Sequence, residues 1–381
     1  MRIGVLTGGG DVPGLNVAIK CITERAIRRG HSVLGIRRGW LGLLCVDPSD
    51  PASRAEWTRE LTHDVVRGID QTGGTILHTS RIAPQSLPKS IAPARLQSRY
   101  GSNNEIDATR DAVRAVEGLG LDAVIPLGGD GTLRFAARLS QEGVPVVAIP
   151  KTMDNDVHGT DYAIGFSTAI TRSVDAVTAL RTTASSHERI MIVELFGRLS
   201  GQTALYAGQL ASADRIVIAE SPFNPDQLAQ LLAADRQANP FKYSVCVISE
   251  GARPDGGPLT EHGSADPYGR KHLGGVGEFL GEVCKRHSSE VIVQNLAYLM
   301  RSGPPDATDR MIALGFGALA IELLLSGRHG QMCALEKGRF IPVPVDAPLK
   351  GSKRVDVAAS YDSANYRARI DRVEGLALFG I

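Results

Sequence analysis

Two short apolar runs, each ending in a cluster of glycines or carboxylates, constrain this chain most. Ala123-Val124-Ile125-Pro126-Leu127 leads directly into Gly128-Gly129-Asp130-Gly131-Thr132. Val144-Pro145-Val146-Val147-Ala148-Ile149 leads directly into Pro150-Lys151-Thr152-Met153-Asp154-Asn155-Asp156. Short β-branched runs without polar alternation suit strands buried on both faces of a parallel sheet. Each run then delivers its cluster to the carboxyl edge of the sheet, where open α/β folds bind ligands. Glycines at that edge let backbone approach phosphate oxygens. Carboxylates there hold magnesium or take a proton from an attacking hydroxyl. Together the clusters point to phosphoryl transfer.

The same alternation recurs along the chain and predicts βαβ repetition. Strands are expected to begin at Ile3, Val33, Val124, Val146, Ile190, Val217, Val245 and Val291. Helices are expected over 15–29, 106–117, 132–141, 165–181, 225–236, 273–286 and 309–326. Residues 82–104, with three prolines and no clear period, read as an irregular surface excursion or mobile flap. Residues 253–272 form a second polar stretch. The length of 381 residues and apolar content of 43% allow two lobes with buried cores. A net charge of +1 offers no general attraction to nucleic acid or an anionic membrane. No apolar stretch reaches transmembrane length, and Met1-Arg2-Ile3 enters a strand at once, without a signal peptide. The five cysteines are scattered, which argues for reduced thiols in a cytoplasmic setting.

Thr7-Gly8-Gly9-Gly10-Asp11-Val12-Pro13-Gly14 sits between the first strand and the first helix. Such a turn aims backbone N–H groups and a helix N-terminus at an anion. It fits neither the Rossmann nor the Walker A pattern, and a tight turn without ligand is the alternative. Asp130 is either a magnesium ligand or a helix N-cap. Thr152, Asp154 and Asp156 alternate, so in an extended loop all three point one way; an Asx-turn cluster is the alternative. Arg198 and Arg301 lie in glycine-flanked turns after apolar runs, a placement suited to gripping phosphate. Trp40, between glycines, either stacks on a base or fills a core.

At this point the chain resembles the 6-phosphofructokinase family. The matching blocks are Gly8 to Asn16, Gly73 to Arg81, Gly128 to Thr132, Pro150 to Asp156, Gly159 to Phe166, Ser185 to Gly201, Ser249 to Ala252 and Arg301 to Arg310. They span most of residues 1–325 in the family's order. The resemblance implies an α/β protein of two similar doubly wound lobes with the active site in the cleft between them. Residues 1–165 and about 309–355 would form the donor lobe, and 166–308 with about 356–381 the sugar-phosphate lobe. It implies phosphoryl transfer from ATP to the 1-hydroxyl of fructose 6-phosphate, a glycolytic reaction, with Mg²⁺ oriented by Asp130. Asp154 would be the base, supported by Thr152, Asp156 and Lys151. Gly10, Asp11, Trp40, Arg81, Gly129, Gly131 and Thr132 would bind the donor. Thr152, Asp154, Phe196, Gly197, Arg198, Glu250 and Arg310 would bind the sugar, with Arg189 and Arg301 on its 6-phosphate. In the family, arginines equivalent to Arg189 and Arg301 reach in from a neighbouring subunit, which implies a homodimer or homotetramer.

Some positions depart from the family's ATP-dependent pattern. Lys151 replaces a glycine, as in the pyrophosphate-dependent branch, while Gly131 keeps the ATP-type glycine where that branch carries an aspartate. Phe135 stands where a small residue would lie near a nucleoside. Arg301-Ser302-Gly303-Pro304-Pro305 replaces Arg-Gly-Gly-Ser-Pro, which leaves sedoheptulose 7-phosphate as another acceptor. Glu24 stands where a cation would meet an effector phosphate, with Lys20 and Arg181 kept. A silent sugar-phosphate-binding paralogue is the rival class, and intact Asp130, Thr152, Asp154 and Asp156 argue against it.

Overall fold

The computed structural model describes residues 1–265, 267, 268, 271–287, 290–369 and 374. They form two compact units. The first holds Met1–Thr152, Val157–Gly165 and Ser302–Ser352; the second holds Met153–Asp156, Phe166–Arg301 and the chain from Lys353.

Strand β1 (Arg2–Gly8) opens the first unit, buried from Ile3 onward. Helix α1 (Leu15–Ile27) follows, with Leu15, Ile19, Ile22 and Ala26 wholly buried in one stripe. Next come β2 (Ser32–Ile36), α2 (Trp40–Cys45), β3 (Thr58–Leu61), α3 (Thr109–Gly118), β4 (Ala123–Gly128), α4 (Asp130–Gln141) and β5 (Val147–Pro150). In the second unit the order is α5 (Phe166–Ser186), β6 (Ile190–Leu195), α6 (Gln202–Leu210), β7 (Arg215–Val217), α7 (Pro225–Ala238), β8 (Ser244–Ser249), α8 (Val276–Cys284) and β9 (Val291–Asn295). Helix α9 (Ala307–Leu325) and the hairpin of β10 (Gln331–Glu336) and β11 (Arg339–Pro344) complete the first unit.

The first sheet runs β11-β10-β5-β4-β1-β2-β3. Its inner strands are parallel, and β3 and β11 add antiparallel edges. The chain winds from β1 to β2 on one side and resumes with β4 on the other. The switch point, where such sheets bind ligands, therefore lies between β1 and β4. There Gly8 is in register with Gly128. Pro126 lies within central β4, where a proline normally costs a ladder bond. The pairing of β4 with β5 accommodates it: Val124 bridges Val146, and the ladder resumes only at Leu127 and Ile149.

The second sheet, β9-β6-β8-β7, is wholly parallel. Its switch point lies between β6 and β9. Both units are thus α/β sheets wound in two directions, as the resemblance implies, but among the described residues they differ in extent: seven strands against four.

Residues 82–104 are not a loose excursion. Leu87 and Leu96 are buried in the first unit's core, and Leu87–Pro88 pairs with Glu105–Ile106. The Tyr100 hydroxyl donates to Leu87 O at 2.9 Å. Apolar anchors at the uneven spacings of Leu87, Leu96 and Tyr100 escape a search for period, which is why the segment reads as irregular. No described helix is long and apolar enough to cross a membrane. All five cysteines are free, and burial pushes the Cys45 thiol up to about 11 and Cys284 to about 12, which keeps them unreactive.

Candidate active site

In the first unit, α1 and α4 both start at the switch point. Their N-caps are Gly14, with φ 106°, and Gly129, and neither helix receives a side-chain cap from its own N-cap residue. Helices α2, α3 and α6 share that lack, whereas others are capped. Asn224 caps α7 and Asp306 caps α9 from their own N-cap positions. Glu194 reaches from β6 to accept from Gly275 and Gly277 at the start of α8. Two helix starts without such a side-chain cap make a candidate anion site.

Thr132 explains two of the glycines. A Cβ at Gly8 would lie 2.4 Å from its Oγ1, and one at Gly128 would lie 2.3 Å from its Cβ. Thr132 is 5% exposed and wedges over both strand ends, so both positions need glycine. Lys151 is buried and its Nζ donates to Gly10 O at 2.5 Å. Gly9 N donates to Ser80 O, and Thr79 Oγ1 to Gly9 O. These bonds draw the segment ending in exposed Arg81 beside Gly9 and Gly10. Asp11 lies against the same segment, 3.8 Å from a Cβ built on Gly74. Asn16, singled out for no role in the sequence, ties the segment further: its amide bonds Thr72, Gly73 and Ile76.

Two donor-side readings change. Trp40 is 1% exposed and meets Phe135 edge-on at 4.9 Å. It fills the core and offers no face to a base. Phe135 is wholly buried in the same cluster, so it does not crowd a nucleoside. Gly131, by contrast, is exposed, and a Cβ there would meet no atom within 4 Å.

Asp130 is the first residue of α4, half exposed, with its carboxylate 2.8 Å from Arg134 Nε. Gly129, not Asp130, is the N-cap. Among the described residues no three His, Cys, Asp or Glu side chains form an all-protein metal cage. One accessible carboxylate beside an anion site fits Mg²⁺, which keeps waters and takes its other ligands from substrate phosphates.

The loop carrying Asp154 is not extended. It turns at Met153–Asp154, and Asn155 has φ 51°. The alternation argument for Thr152, Asp154 and Asp156 therefore does not hold. Thr152 belongs to the first unit, its N–H bound to Ile164 O, and Asp154 and Asp156 belong to the second. Asp154 is 9% exposed.

In the second unit, the turn after β6 and the end of β8 meet. Gly197 N and Arg198 N donate to Glu250 Oε1 at 3.4 and 2.9 Å. A Cβ on Gly251 would lie 1.7 Å from Arg198 O, so only glycine lets the two turns touch. Phe196 and Tyr298 pack edge to face at 5.5 Å, and the Arg301 guanidinium lies over Tyr298 at 4.9 Å. Phe196, Gly197, Arg198, Glu250 and Arg301 are thus brought to one edge. Burial pushes the Glu250 carboxyl above the usual range, against the pull of the two N–H donors. If it receives sugar hydroxyls, it loses acceptor capacity as pH falls through that raised pKa. The acid limb of kcat/KM for the sugar phosphate is therefore expected above the ordinary glutamate value of about 4.3. Glu250→Gln should displace that limb in a pH–rate profile.

Arg189 is not part of this group. It precedes β6, whereas Arg198 and Glu250 follow β6 and β8, about 20 Å away along the strand. It pairs there with Glu290 at 2.5 Å. Arg310, on α9 in the first unit, donates to Pro305 O and lines a cavity of about 710 Å³ with Lys20, Glu24, Arg25 and Arg28. Lys20 is held by Asp70 at 2.8 Å, and Arg181 in the second unit by the carbonyls of Ala211 and Ser212.

The Phosphofructokinase family model matches residues 2–324. ATP-dependent 6-phosphofructokinase 3 of Streptomyces coelicolor is 40% identical over 338 residues, covering 88% of this chain and 91% of that protein. Pyrophosphate–fructose 6-phosphate 1-phosphotransferase of the same organism is 38% identical over 363 residues, covering 94% and 97%. Among solved structures, the pyrophosphate-dependent phosphofructokinase of Nitrosospira multiformis aligns with TM-score 0.77 at 16% identity, over 99% of this chain and 95% of that one, a likeness of fold. With uncapped helix starts at one switch point, a carboxylate-bearing loop after β5, and a family match over most of its length, the chain belongs to the phosphofructokinase family.

Proposed function

We propose that this phosphofructokinase transfers the γ-phosphoryl group of ATP to the 1-hydroxyl of fructose 6-phosphate. The observation that carries the donor reading is the open space at Gly131, which leaves room for a nucleotide α-phosphate beside α4. Relatives named for either donor are nearly equally similar, at 40% and 38% identity, so overall likeness does not choose between them. Pyrophosphate is the second reading. It is favoured by Lys151, whose buried ammonium at the Gly10 carbonyl puts a fixed cation in the donor turn.

Chemically, the chain positions and stabilises charge. The α1 and α4 starts and Arg81 hold the donor phosphates. Asp130 would hold Mg²⁺, which when bound offsets charge on the phosphate oxygens. Lys151 stabilises charge at the transferring group. Asp154 takes the proton from the sugar 1-hydroxyl as it attacks. Glu250 and Arg198 orient the sugar, and Arg301 serves as a cation for its 6-phosphate. Initial rates with ATP and pyrophosphate, each crossed with fructose 6-phosphate and sedoheptulose 7-phosphate, test this reading. The highest kcat/KM is expected for ATP with fructose 6-phosphate. Transfer from pyrophosphate alone would reverse the donor assignment, and absence of transfer from either donor would leave a binding paralogue.

The remoteness of Arg189 supports an oligomer in which it serves a neighbour's site. Arg189→Ala should raise the sugar-phosphate KM. Subunits carrying Arg189→Ala, mixed and reassembled with subunits carrying Asp154→Asn, should regain activity beyond the sum of the two parents. A fully active monomer in sedimentation under assay conditions would contradict this.

A further inference from the structure

The loop that carries Asp154 is held by a side-chain pair with no assigned role. Asn155 is 1% exposed and adopts φ 51°, a left-handed conformation that asparagine tolerates better than most residues. Its Nδ2 donates to Gln202 Oε1 at 2.8 Å. Gln202 is wholly buried at the first position of α6. Its Nε2 is buried with no hydrogen-bond partner among the described residues. Turning the Gln202 amide over would set Nε2 against Asn155 Nδ2, donor against donor, so Asn155 fixes its orientation. Leaving an amide donor unpaired in the interior is unfavourable, and such costs gather where geometry serves function.

The rest of the loop is tied to the same region of the second unit. Lys353 N donates to Asp156 O at 2.9 Å. Glu220 accepts from Gly201 N with both oxygens at 2.9 Å and from Val355 N at 2.9 Å. The start of α6 and the return of the chain at 353–355 thus share one carboxylate, and each grips one side of the Asp154 loop.

We propose that Asn155 and Gln202 form a brace that positions the Asp154 carboxylate for proton abstraction. They are positioning residues, acting through Asp154, and the proposal rests on the reading of Asp154 as the base. Asn155 supplies the left-handed turn and the amide; Gln202 anchors that amide to a helix start that the core and Glu220 hold rigid. Displacement of a reacting group by about 1 Å can cost about 10²-fold in rate.

The test uses six variants of the full chain. Asn155→Gly keeps the left-handed backbone and removes the amide, and Gln202→Ala removes its acceptor. Each should lower kcat about 10- to 100-fold with little change in the sugar-phosphate KM. The double variant should lose no more than the worse single one, because both act through one contact. The decisive readout is the Asp154→Asn background, where adding either substitution should not change the residual rate. A merely loosened fold would lower that rate as well and would overturn the brace. If Asp154→Asn itself keeps near wild-type kcat, the base assignment fails. If it is crippled while Asn155→Gly and Gln202→Ala keep full kcat, the brace fails and the base stands. Should Asn155→Gly fail to fold by circular dichroism, Gln202→Ala decides the matter by the same comparison.

Discussion

Asp154→Asn is expected to lower kcat about 10²–10⁴-fold while the protein stays folded and still binds sugar phosphate. The amide matches the carboxylate in shape but cannot take the proton of the attacking hydroxyl. General-base catalysis is typically worth that factor, or about 3–5 kcal/mol of barrier. Asp154 is nearly buried, in a loop held by Asn155 on one side and Asp156 on the other. Both contacts are kept in the variant and asparagine preserves the side chain's shape, so the loop should keep its course. Steady-state kinetics and a thermal melt on the purified variant check both halves. A kcat near wild type would remove Asp154 from the mechanism.

Gly131→Asp should shift the protein away from ATP. A Cβ at this position meets nothing within 4 Å, and a carboxylate in the first turn of a helix is favourable, so the variant should fold. Its new charge would lie near a nucleotide α-phosphate. Two like unit charges about 4 Å apart repel by about 1 kcal/mol in water and about 4 kcal/mol at an effective dielectric constant of 20. That corresponds to a loss of about 5-fold to nearly 10³-fold in kcat/KM for ATP. Pyrophosphate has no α-phosphate to repel and should suffer less. Parallel titrations with the two donors check this, and equal losses with both would contradict the placement of ATP against Gly131.

What the sequence made legible follows from where chemistry and periodicity coincide. The strand ends carrying Gly8, Gly128 and Lys151 were readable because continuous apolar runs stop there. Strand β7 starts at Arg215, two residues before the Val217 that the apolar pattern suggests. A charged residue reads as a boundary, but Arg215 is buried because Asp235 meets it twice, at 2.6 and 2.8 Å. The β10–β11 hairpin is hidden in the sequence because Pro342 and Pro344 argue against a strand, and they are tolerated because β11 is an edge. Helix α6 gives no helical stripe because its polar Gln202 and Thr203 are buried beside Ala204 and Leu205, so polarity does not mark its faces.

At the site, glycines and carboxylates stood out by type, but partnerships did not. Nothing local marks Gly8 and Gly128 as seats for Thr132, or Gly251 as clearance for Arg198. Trp40 flanked by glycines looks like a binding residue until Phe135 is seen against it. Asp309, wholly buried and accepting from the Tyr162 hydroxyl and Gly165 N at 2.7 Å each, ties the return of the Asp154 loop to the start of α9 beside Arg310. Its partners lie far away in sequence, so no local pattern could announce it.

The central claim is transfer from ATP to the 1-hydroxyl of fructose 6-phosphate, and phosphorus NMR of a single reaction mixture tests it most directly. With enzyme, Mg²⁺, ATP and fructose 6-phosphate, the spectrum should show ADP and a new C1 phosphate on the sugar growing in equal amounts, with the 6-phosphate retained. Loss of ATP to inorganic phosphate without a new sugar phosphate, or a C1 phosphate that forms only when pyrophosphate replaces ATP, would contradict it.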